Sequence, residues 1–172
     1  MNTAPVQSWR PPVGMLYKLN FDAALFTNSN STGFGAIIRN NMGEVMAALS
    51  AKGPTVVDSE EAEVLACRRA LEFAVDASFT ELEVEGDNAT VIKALASWRS
   101  IKSRLGNVYE DIWVLATGCR SISFSCVKHS ANSVAHALAR YASSTSDDIC
   151  WMEESPPPAV EALYLDSVFL NA

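Results

Sequence analysis

The chain has 172 residues, of which 49% are hydrophobic and 19% are charged, and its formal net charge is −7 at pH 7. This length and apolar content suffice for one buried core and exclude global disorder. The net negative charge excludes strong nonspecific binding to nucleic acid, because such binding comes from lysine and arginine side chains that neutralise phosphates. Carboxylates that bind divalent cations would reverse the local sign of the field, so a nucleic-acid function stays open.

Signals for secretion or membrane insertion are missing from the sequence. It has no uninterrupted apolar run of the ~18 residues that a membrane span needs, and no N-terminal apolar stretch flanked by basic residues. The four cysteines are widely spaced and form no Cys-x-x-Cys pair. We therefore expect free thiols, no membrane association, and a location in the nucleus or cytoplasm rather than secretion.

Three segments are expected: a lead-in at residues 1–14, a folded domain at residues 15–146 and a tail at residues 147–172. The lead-in contains Trp9-Arg10-Pro11-Pro12, whose prolines exclude a helix interior. The tail contains a proline run, followed by the apolar residues Leu163, Leu165, Val168 and Phe169. Those side chains either dock on the domain or stay mobile, and the sequence does not decide between the two.

The first elements along the chain are predicted to be strands. Residues 17–22 alternate between apolar and polar side chains, and Asp22 closes the run. Two further strand-like runs, residues 33–39 and 44–52, are joined by Asn40-Asn41-Met42-Gly43, which is typical of a tight turn. The sequence therefore predicts an antiparallel meander of three strands, with an acidic residue at the end of the first.

Helices and strands then alternate. Asp58 and Ser59 are suitable caps for a helix that runs through Ala74. A strand at residues 81–85 ends at Gly86-Asp87-Asn88 and precedes a short helix to about Ser97. The remaining predictions are a helix at 106–117, a strand at 122–128 and a helix at 132–144. The order βββαβααβα indicates an α/β fold.

Glu63 is the most informative single residue. Steps of three, four, seven and eight from it reach the apolar stripe of its own helix, which consists of Ala66, Cys67, Ala70 and Leu71. An ionised carboxylate on that face is costly unless a cation compensates it. A metal ion or a buried basic partner is therefore expected beside Glu63.

Asp22 and Asp87 each close a predicted strand, so neighbouring strands would bring both carboxylates to one edge of the sheet, near Glu63. Oxygen ligands of this kind suit Mg²⁺ or Mn²⁺, and two such ions ~4 Å apart can promote phosphodiester cleavage. Each acid alone is explained as well by a turn or a helix cap. The three together predict a metal site.

Three short motifs resemble the acidic motifs of the ribonuclease H family: Lys18-Leu19-Asn20-Phe21-Asp22-Ala23-Ala24, Ala62-Glu63-Val64-Leu65-Ala66 and Val84-Glu85-Gly86-Asp87-Asn88. Three more resemble plant retroelement-derived members: Trp9-Arg10-Pro11-Pro12, Asn132-Ser133-Val134-Ala135-His136-Ala137-Leu138-Ala139 and Trp151-Met152-Glu153-Glu154-Ser155-Pro156. The resemblance covers about residues 9–166. It implies a ribonuclease H-like fold, with a five-stranded mixed sheet, three strands antiparallel and then two parallel, flanked by helices.

The resemblance further implies hydrolysis of the RNA strand of RNA/DNA hybrids with two Mg²⁺ or Mn²⁺ ions. Asp22 would bridge the ions, and Glu63 and Asp87 would complete their shells. Many members have an aspartate four residues after the asparagine of the last helix, where this chain has His136. We assign His136 as a catalytic residue, either a ligand of the second ion or a proton shuttle, which would favour Mn²⁺. An exposed helix histidine without a metal is the alternative.

Substrate binding is assigned to two groups of residues. His129 corresponds to a mobile loop histidine that assists product release in many family members, and Asn132 follows it at the start of the last helix. The second group, Trp98 with Arg99, Lys102 and Arg104, lies where some members have a basic handle that holds the hybrid. A solvated loop histidine and an ordinary connection between helices are the competing interpretations.

The leading hypothesis is therefore a metal-dependent endonuclease that leaves 5′-phosphate and 3′-hydroxyl ends, as the resemblance implies. The small number of cations predicts weak binding, so a reverse transcriptase domain in a larger ancestral polyprotein would supply much of the grip. The alternative is a catalytically impaired hybrid-binding or protein-interaction domain domesticated from a retroelement, for which His136 is the main support. A metal-dependent exonuclease on the same fold ranks last.

Overall fold

A mixed β-sheet organises residues 6–170, which are the residues that the computed structural model describes. Its six strands are β1 (Tyr17–Phe26), β2 (Ser31–Arg39), β3 (Val45–Gly53), β4 (Glu81–Gly86), β5 (Ser121–Cys126) and β6 (Ile149–Met152). They lie in the order β5-β4-β1-β2-β3-β6. The antiparallel pairs are β1 with β2, β2 with β3 and β3 with β6, whereas β4 is parallel to both β1 and β5. The predicted meander and the two parallel strands are confirmed.

Five helices cover the sheet within residues 6–170. They are α1 (Ser59–Asp76), α2 (Ala89–Ser97), α3 (Gly106–Thr117), α4 (Ser133–Tyr141) and α5 (Val160–Leu170). Helices α1 to α4 coincide with the predicted helices to within a few residues at their ends. A 3₁₀ turn at Ala142–Ser144 extends α4 to the predicted limit at residue 144.

The strand count differs from the predicted five because β6 lies in the predicted tail. This strand has only four residues, and it is an edge strand that pairs with β3, about 100 positions earlier in the chain. A short run of this kind has too little periodicity to be recognised in a sequence. The proline run ends the extended segment, and α5 begins directly after the 3₁₀ turn at Pro157–Ala159.

The first predicted strand ended too early. β1 continues through Ala23, Ala24 and Leu25 to Phe26, and it pairs with β2 along this whole length. The alternation of polar and apolar residues stops at Asp22 because the continuation is apolar on both faces. Asp22 therefore lies inside a central strand, and its description as the end of the strand was wrong.

The two faces of the sheet carry separate apolar clusters. On one face, α1 packs on the sheet and α3 packs against α1 in the larger cluster, in which Leu19, Phe21 and Leu71 are fully buried. On the other face, Val134 and Leu138 of α4 pack against Ile37, Trp151 and Ala159. Trp151 and Ala159 both come from the predicted tail. The tail is thus part of the core of the second face.

The boundaries of the lead-in and of the tail can be followed in part. Residues 1–5 of the lead-in and residues 171–172 of the tail lie outside the described residues. Leu163 packs on the second cluster, whereas Leu165, Val168 and Phe169 are about half exposed. Of the four apolar side chains considered for docking, Leu163 is therefore docked, and the other three lie on the outer side of α5. No helix in residues 6–170 has the length and apolar character to cross a membrane.

Candidate metal centre and active site

Three carboxylates from three different elements meet beside β1. Asn20 of β1 is in register with Glu85 of the parallel strand β4, so Asp22 and Asp87 lie two residues further on at the same level. Glu63 reaches the same point from α1, which packs on β1. One oxygen of each carboxylate lies within 4.8 Å of the others. The structure therefore brings the three predicted metal ligands together.

Helix caps fix where two of these carboxylates lie. The Asp58 side chain accepts a hydrogen bond from the Glu61 backbone N–H and starts α1, which places Glu63 on the buried side with Ala62 and Ala66. Asn88 caps α2 through the Val91 backbone N–H, so the chain turns directly after Asp87.

Burial and mutual repulsion make this cluster unfavourable to ionise. Asp22 is 3% exposed and Glu63 is 8% exposed. Burial first, and then the neighbouring Asp22 carboxylate, raises the pKa of Glu63 to about 10. Burial and the charge of Asp87 likewise raise the pKa of Asp22. The cost falls if a cation enters, because its charge favours the ionised form of all three groups.

One buried atom indicates where such a cation would bind. Oε2 of Glu63 is buried and has no hydrogen-bond partner in residues 6–170. A buried polar atom without a partner is rare and needs an explanation. An unpaired carboxylate oxygen beside two further carboxylates is a suitable ligand set for Mg²⁺ or Mn²⁺. The residues present therefore fit a divalent metal site.

Two glycines of β2 bring α4, and with it His136, close to the metal centre. A Cβ atom at Gly35 would overlap the backbone of Ala135 and Ala139, and a Cβ at Gly33 would overlap the Ala139 carbonyl oxygen. Gly35 is also the register partner of Asp22 on β1. The absence of side chains at these positions lets α4 lie directly on the strand that neighbours Asp22.

His136 projects from α4 towards Asp22. Its Nδ1 lies 2.8 Å from Asp22 Oδ2, and its side chain is 34% exposed. If Nδ1 carries the proton, it donates to the carboxylate and leaves Nε2 as a free acceptor. His136 is therefore partly buried and hydrogen-bonded to a predicted metal ligand, and its role as a ligand or proton shuttle stays a prediction.

His129 lies beside His136, in the 3₁₀ turn His129–Ala131. Its Nδ1 lies 3.0 Å from Asp87 Oδ2, and its side chain is 63% exposed. The rings of His129 and His136 meet edge to face, with their centroids 4.6 Å apart. The contacts of His129 are therefore with the predicted metal ligands, while its high exposure leaves it open to solvent.

Asn132, which was assigned to substrate binding, lies below the surface and is 1% exposed. Its side-chain N–H donates to the Phe21 carbonyl oxygen at 2.9 Å, and its side-chain oxygen accepts from Asn20 at 3.1 Å. The structure therefore places Asn132 in a buried polar layer behind the carboxylates, and its part in substrate binding stays untested.

No residue of the predicted basic handle is ion-paired with Asp22, Glu63 or Asp87 in residues 6–170. Trp98 adopts a left-handed conformation (φ 53°) at the end of α2, is 48% exposed, and stacks on Trp113 with centroids 6.2 Å apart. Arg99 and Lys102 are exposed beside it. Arg104 is bound to Glu61 at 2.9 Å and to Asp58 at 3.0 Å, so its charge is already compensated. Trp98, Arg99 and Lys102 are therefore the members of the handle that can still meet a ligand.

Sequence reasoning missed the charged layer beneath the site. Lys18 forms ion pairs with Glu85 at 2.7 Å and with Glu83 at 3.6 Å, and it is only 5% exposed. Asn20 donates to Glu85 at 3.1 Å and accepts from the indole N–H of Trp9 at 3.0 Å. Lys18, Asn20 and Asp22 occupy alternate positions of one strand. That periodicity was the available signal, because polar residues on a face that also carries a metal ligand are expected to support it.

The reverse transcriptase-like family model matches residues 20–142. RNase H1 from the halophilic archaeon Halobacterium salinarum is 27% identical and superposes with a TM-score of 0.67 over 74% of this chain and 97% of its own. No curated protein matched the chain.

Two further solved structures resemble the chain at lower identity. The N-terminal RNase H domain of a Mycobacterium tuberculosis protein, solved as a fusion with maltose-binding protein, is 22% identical, with a TM-score of 0.64 over 75% of this chain and 94% of its own. An RNase H1 known as LC11, solved in complex with an RNA/DNA hybrid, is 19% identical, with a TM-score of 0.65 over 73% of this chain and 95% of its own.

Proposed function

The chain belongs to the reverse transcriptase-like family and has the ribonuclease H-like fold, and from this premise we propose that it is an endonuclease that hydrolyses the RNA strand of RNA/DNA hybrids. The observation that carries the proposal is the convergence of Asp22, Glu63 and Asp87, whose oxygens lie within 4.8 Å of one another around an unpaired buried atom of Glu63. The H. salinarum relative, an RNase H1, supports the same activity.

Asp22, Glu63 and Asp87 would hold two Mg²⁺ or Mn²⁺ ions. Bound divalent ions supply Lewis-acid stabilisation of the attacking and leaving oxygens in phosphodiester hydrolysis. Asp22 occupies the central position, because its carboxylate neighbours both Glu63 and His136. Asp22 lies in β1 and Asp87 directly follows β4, so the pairing of these two strands positions both ligands before the substrate arrives.

His129 and His136 would accept and donate protons at the edge of the site. His136 shares a hydrogen bond with Asp22, which orients its ring, and its partly exposed side chain leaves Nε2 available for a proton or for an ion. His129 is mostly exposed and contacts Asp87 through Nδ1, so its ring would carry protons between solvent and the edge of the site. An imidazole ligand at position 136 would favour Mn²⁺ over Mg²⁺.

The affinity of the isolated chain for the RNA/DNA hybrid would be low. The net charge of −7 opposes binding to phosphates, and the exposed cations of the handle are few. We therefore extend the proposal to a neighbouring reverse transcriptase domain that supplies additional contacts, in keeping with the name of the family. The plant retroelement origin suggested by the lead-in, last-helix and tail motifs remains a prediction, since the family model does not distinguish plant members.

A second function, hybrid binding without cleavage, is favoured by one observation. The carboxylate that many relatives carry at the fourth position is replaced here by His136, which is already hydrogen-bonded to Asp22. If that imidazole weakens the binding of the second metal ion, the protein would still recognise the hybrid but would no longer cleave it.

Cleavage of an end-labelled RNA/DNA hybrid in Mg²⁺ or in Mn²⁺ separates the two functions. The wild-type protein is compared with Asp22→Asn and Asp87→Asn, and with Asp76→Asn as a matched control, because Asp76 is an exposed acid at the far end of α1. Metal-dependent cleavage that both site variants lose and the control retains supports the nuclease. If the folded wild-type protein binds the hybrid but cleaves it with neither metal, the nuclease proposal is wrong and the hybrid-binding function takes its place.

A further inference from the structure

Two imidazoles and one carboxylate form a second group of metal-binding side chains that overlaps the carboxylate cluster. Ligand atoms of Asp22, His129 and His136 all lie within 4.8 Å of one another. The three residues come from three elements, namely β1, the turn before α4, and α4 itself. Glu63 and Asp87 complete the carboxylate cluster but do not belong to this second group, so Asp22 is the residue that the two groups share.

The two groups differ in ligand chemistry. Three carboxylates present only oxygen, which suits hard cations such as Mg²⁺. Two imidazole nitrogens and one carboxylate oxygen suit Zn²⁺, which is commonly held by three protein ligands with a fourth position open to water. For a given set of nitrogen and oxygen ligands, affinity rises along the series from Mn²⁺ to Cu²⁺ and stays high at Zn²⁺.

The spacing of the side chains is compatible with one shared ion. Two ligands of a tetrahedral zinc ion lie about 3.3 Å apart, given bond lengths of about 2.0–2.1 Å. His136 Nδ1 and Asp22 Oδ2 are 2.8 Å apart as a hydrogen-bonded pair, so a zinc ion that binds both atoms would displace their shared proton and separate them by about 0.5 Å. His129 lies on an exposed turn with a ligand atom within 4.8 Å of those of Asp22 and His136, and zinc binding through its Nδ1 would replace its contact with Asp87.

We propose that Asp22, His129 and His136 form a binding site for Zn²⁺, distinct in ligand chemistry from the carboxylate site and in competition with it for Asp22. Zn²⁺ held by His129 and His136 would also bind the Asp22 carboxylate, which the Mg²⁺ or Mn²⁺ ions of the nuclease need as a ligand. Micromolar Zn²⁺ would then inhibit hybrid cleavage in the presence of excess Mg²⁺. The inhibitory consequence rests on the proposed nuclease function, whereas the binding site itself does not.

The composition of the chain makes the site unusually easy to test. The sequence contains two histidines, and both belong to the proposed site. In a chain without an affinity tag, every imidazole signal in a ¹H–¹⁵N spectrum therefore reports on it. Exposed thiols are the remaining strong zinc ligands, and Cys126 is in register with Gly86, next to Asp87. All measurements are therefore made with Cys126→Ser and Cys150→Ser in place.

The first measurement is a titration with Zn²⁺, and in parallel with Co²⁺ as a coloured substitute, in the presence of excess Mg²⁺. We expect one equivalent of Zn²⁺ to shift both imidazoles together, and Co²⁺ to give the intense visible absorption of four-coordinate cobalt. His129→Ala and His136→Ala should each weaken binding by more than the roughly 10- to 100-fold that loss of an outer-shell partner causes. Glu63→Gln removes an acid of the other group only, so it should retain the absorption band.

Independent binding at the two histidines would overturn the proposal, and so would a Co²⁺ band that survives both histidine variants. The second measurement is hybrid cleavage in Mg²⁺ with added Zn²⁺, each protein being compared with its own zinc-free rate. Inhibition of the wild type that His129→Ala relieves supports the competition for Asp22. A wild type that never cleaves removes the nuclease proposal, but the spectroscopic titration still decides whether the zinc site exists.

Discussion

The side-chain amide of Asn20 on β1 donates a hydrogen bond of 3.1 Å to the side-chain oxygen of Asn132, the residue that precedes α4. The Asn132 amide in turn donates to the Phe21 carbonyl oxygen at 2.9 Å. Phe21 directly precedes Asp22, and His136 lies one helical turn after Asn132. This pair of bonds therefore holds the start of α4 against the strand that carries Asp22, and so sets the distance between His136 and Asp22.

The first prediction concerns this link. Replacing Asn132 by Ala leaves the buried amide of Asn20 and the Phe21 carbonyl oxygen without this partner, and such losses cost about 1–3 kcal/mol each. We expect Asn132→Ala to lower the free energy of unfolding by about 2 kcal/mol or more, measured by urea denaturation. The control is Ser133→Ala, whose solvent-accessible hydroxyl donates to the Ser130 carbonyl oxygen at 3.2 Å. If Asn132→Ala lowers the free energy of unfolding no more than Ser133→Ala does, the hydrogen bonds of Asn132 do not hold α4 in place.

The second prediction is a pH dependence caused by Glu63. Its pKa is about 10 in the folded protein, against an ordinary value of 4.5. Below pH 4.5 the group is protonated in both states. As the pH rises above that value the unfolded chain loses the proton and the folded chain keeps it, so stability falls. Without divalent metal, the protein should become progressively less stable from pH 5 towards pH 9.

Glu63→Gln tests this origin of the pH dependence. Glutamine keeps the size and polarity of the side chain but cannot ionise, so at neutral pH in EDTA the variant should be more stable than the wild type by roughly 1–3 kcal/mol. Mg²⁺ should raise the unfolding midpoint of the wild type but have little effect on the variant. Asp76→Asn, in an exposed position, should leave the pH dependence unchanged. If the free energy of unfolding changes with pH equally in Glu63→Gln and in the wild type, Glu63 is not the cause of the pH dependence.

The third prediction concerns the glycine under α4. A methyl group at Gly35 would overlap the Ala135 carbonyl oxygen and the Ala139 amide, both of which are backbone groups of α4. Gly35→Ala should therefore push α4 away from β2, cost about 1–3 kcal/mol or more, and separate His136 from Asp22. The control is Gly118→Ala, where the new methyl group would be 3.3 Å from the nearest atom. Urea denaturation compares the two, and equal stabilities would show that α4 relaxes without cost.

Much of the site could be predicted because its signals are local. Glu63 stands out as an acid on an apolar helical stripe, and Asp87 stands between a strand and a capped helix. The contacts of the histidines were less accessible, since the distance from His136 to Asp22 joins residues 114 positions apart. That distance depends on Gly33 and Gly35, which in the sequence are simply two glycines of a strand.

The C-terminal segment was harder to predict because its partners are distant in sequence. β6 is four residues long and forms by pairing with β3, and α5 lacks an amphipathic pattern. Its apolar residues point to several sides, so the pattern did not show which side is buried. The side that packs on the protein is identified by Asp166, a charged residue that is only 5% exposed. No periodicity reveals its partner Arg39, which is 127 positions away.

The fourth prediction is that this ion pair fastens the C-terminal helix. Arg39 binds Asp166 at 2.7 Å, with the side chains 2% and 7% exposed, and its guanidinium stacks on Trp9 at 3.9 Å. Removing one partner of a buried pair costs about 3–5 kcal/mol, because the other charge stays buried without compensation. Asp166→Asn should therefore destabilise the protein strongly.

The surface pair of Arg68 and Asp111 is a matched control for that variant. Its atoms are 2.8 Å apart, but the side chains are 33% and 56% exposed. Water compensates a charge left there, so Asp111→Asn should cost about 0–1 kcal/mol. Replacing both buried partners by apolar residues, as in Arg39→Met with Asp166→Leu, should recover most of the loss because no charge is left unpaired. Equal effects of Asp166→Asn and Asp111→Asn in urea denaturation would show that α5 is held by its apolar contacts alone.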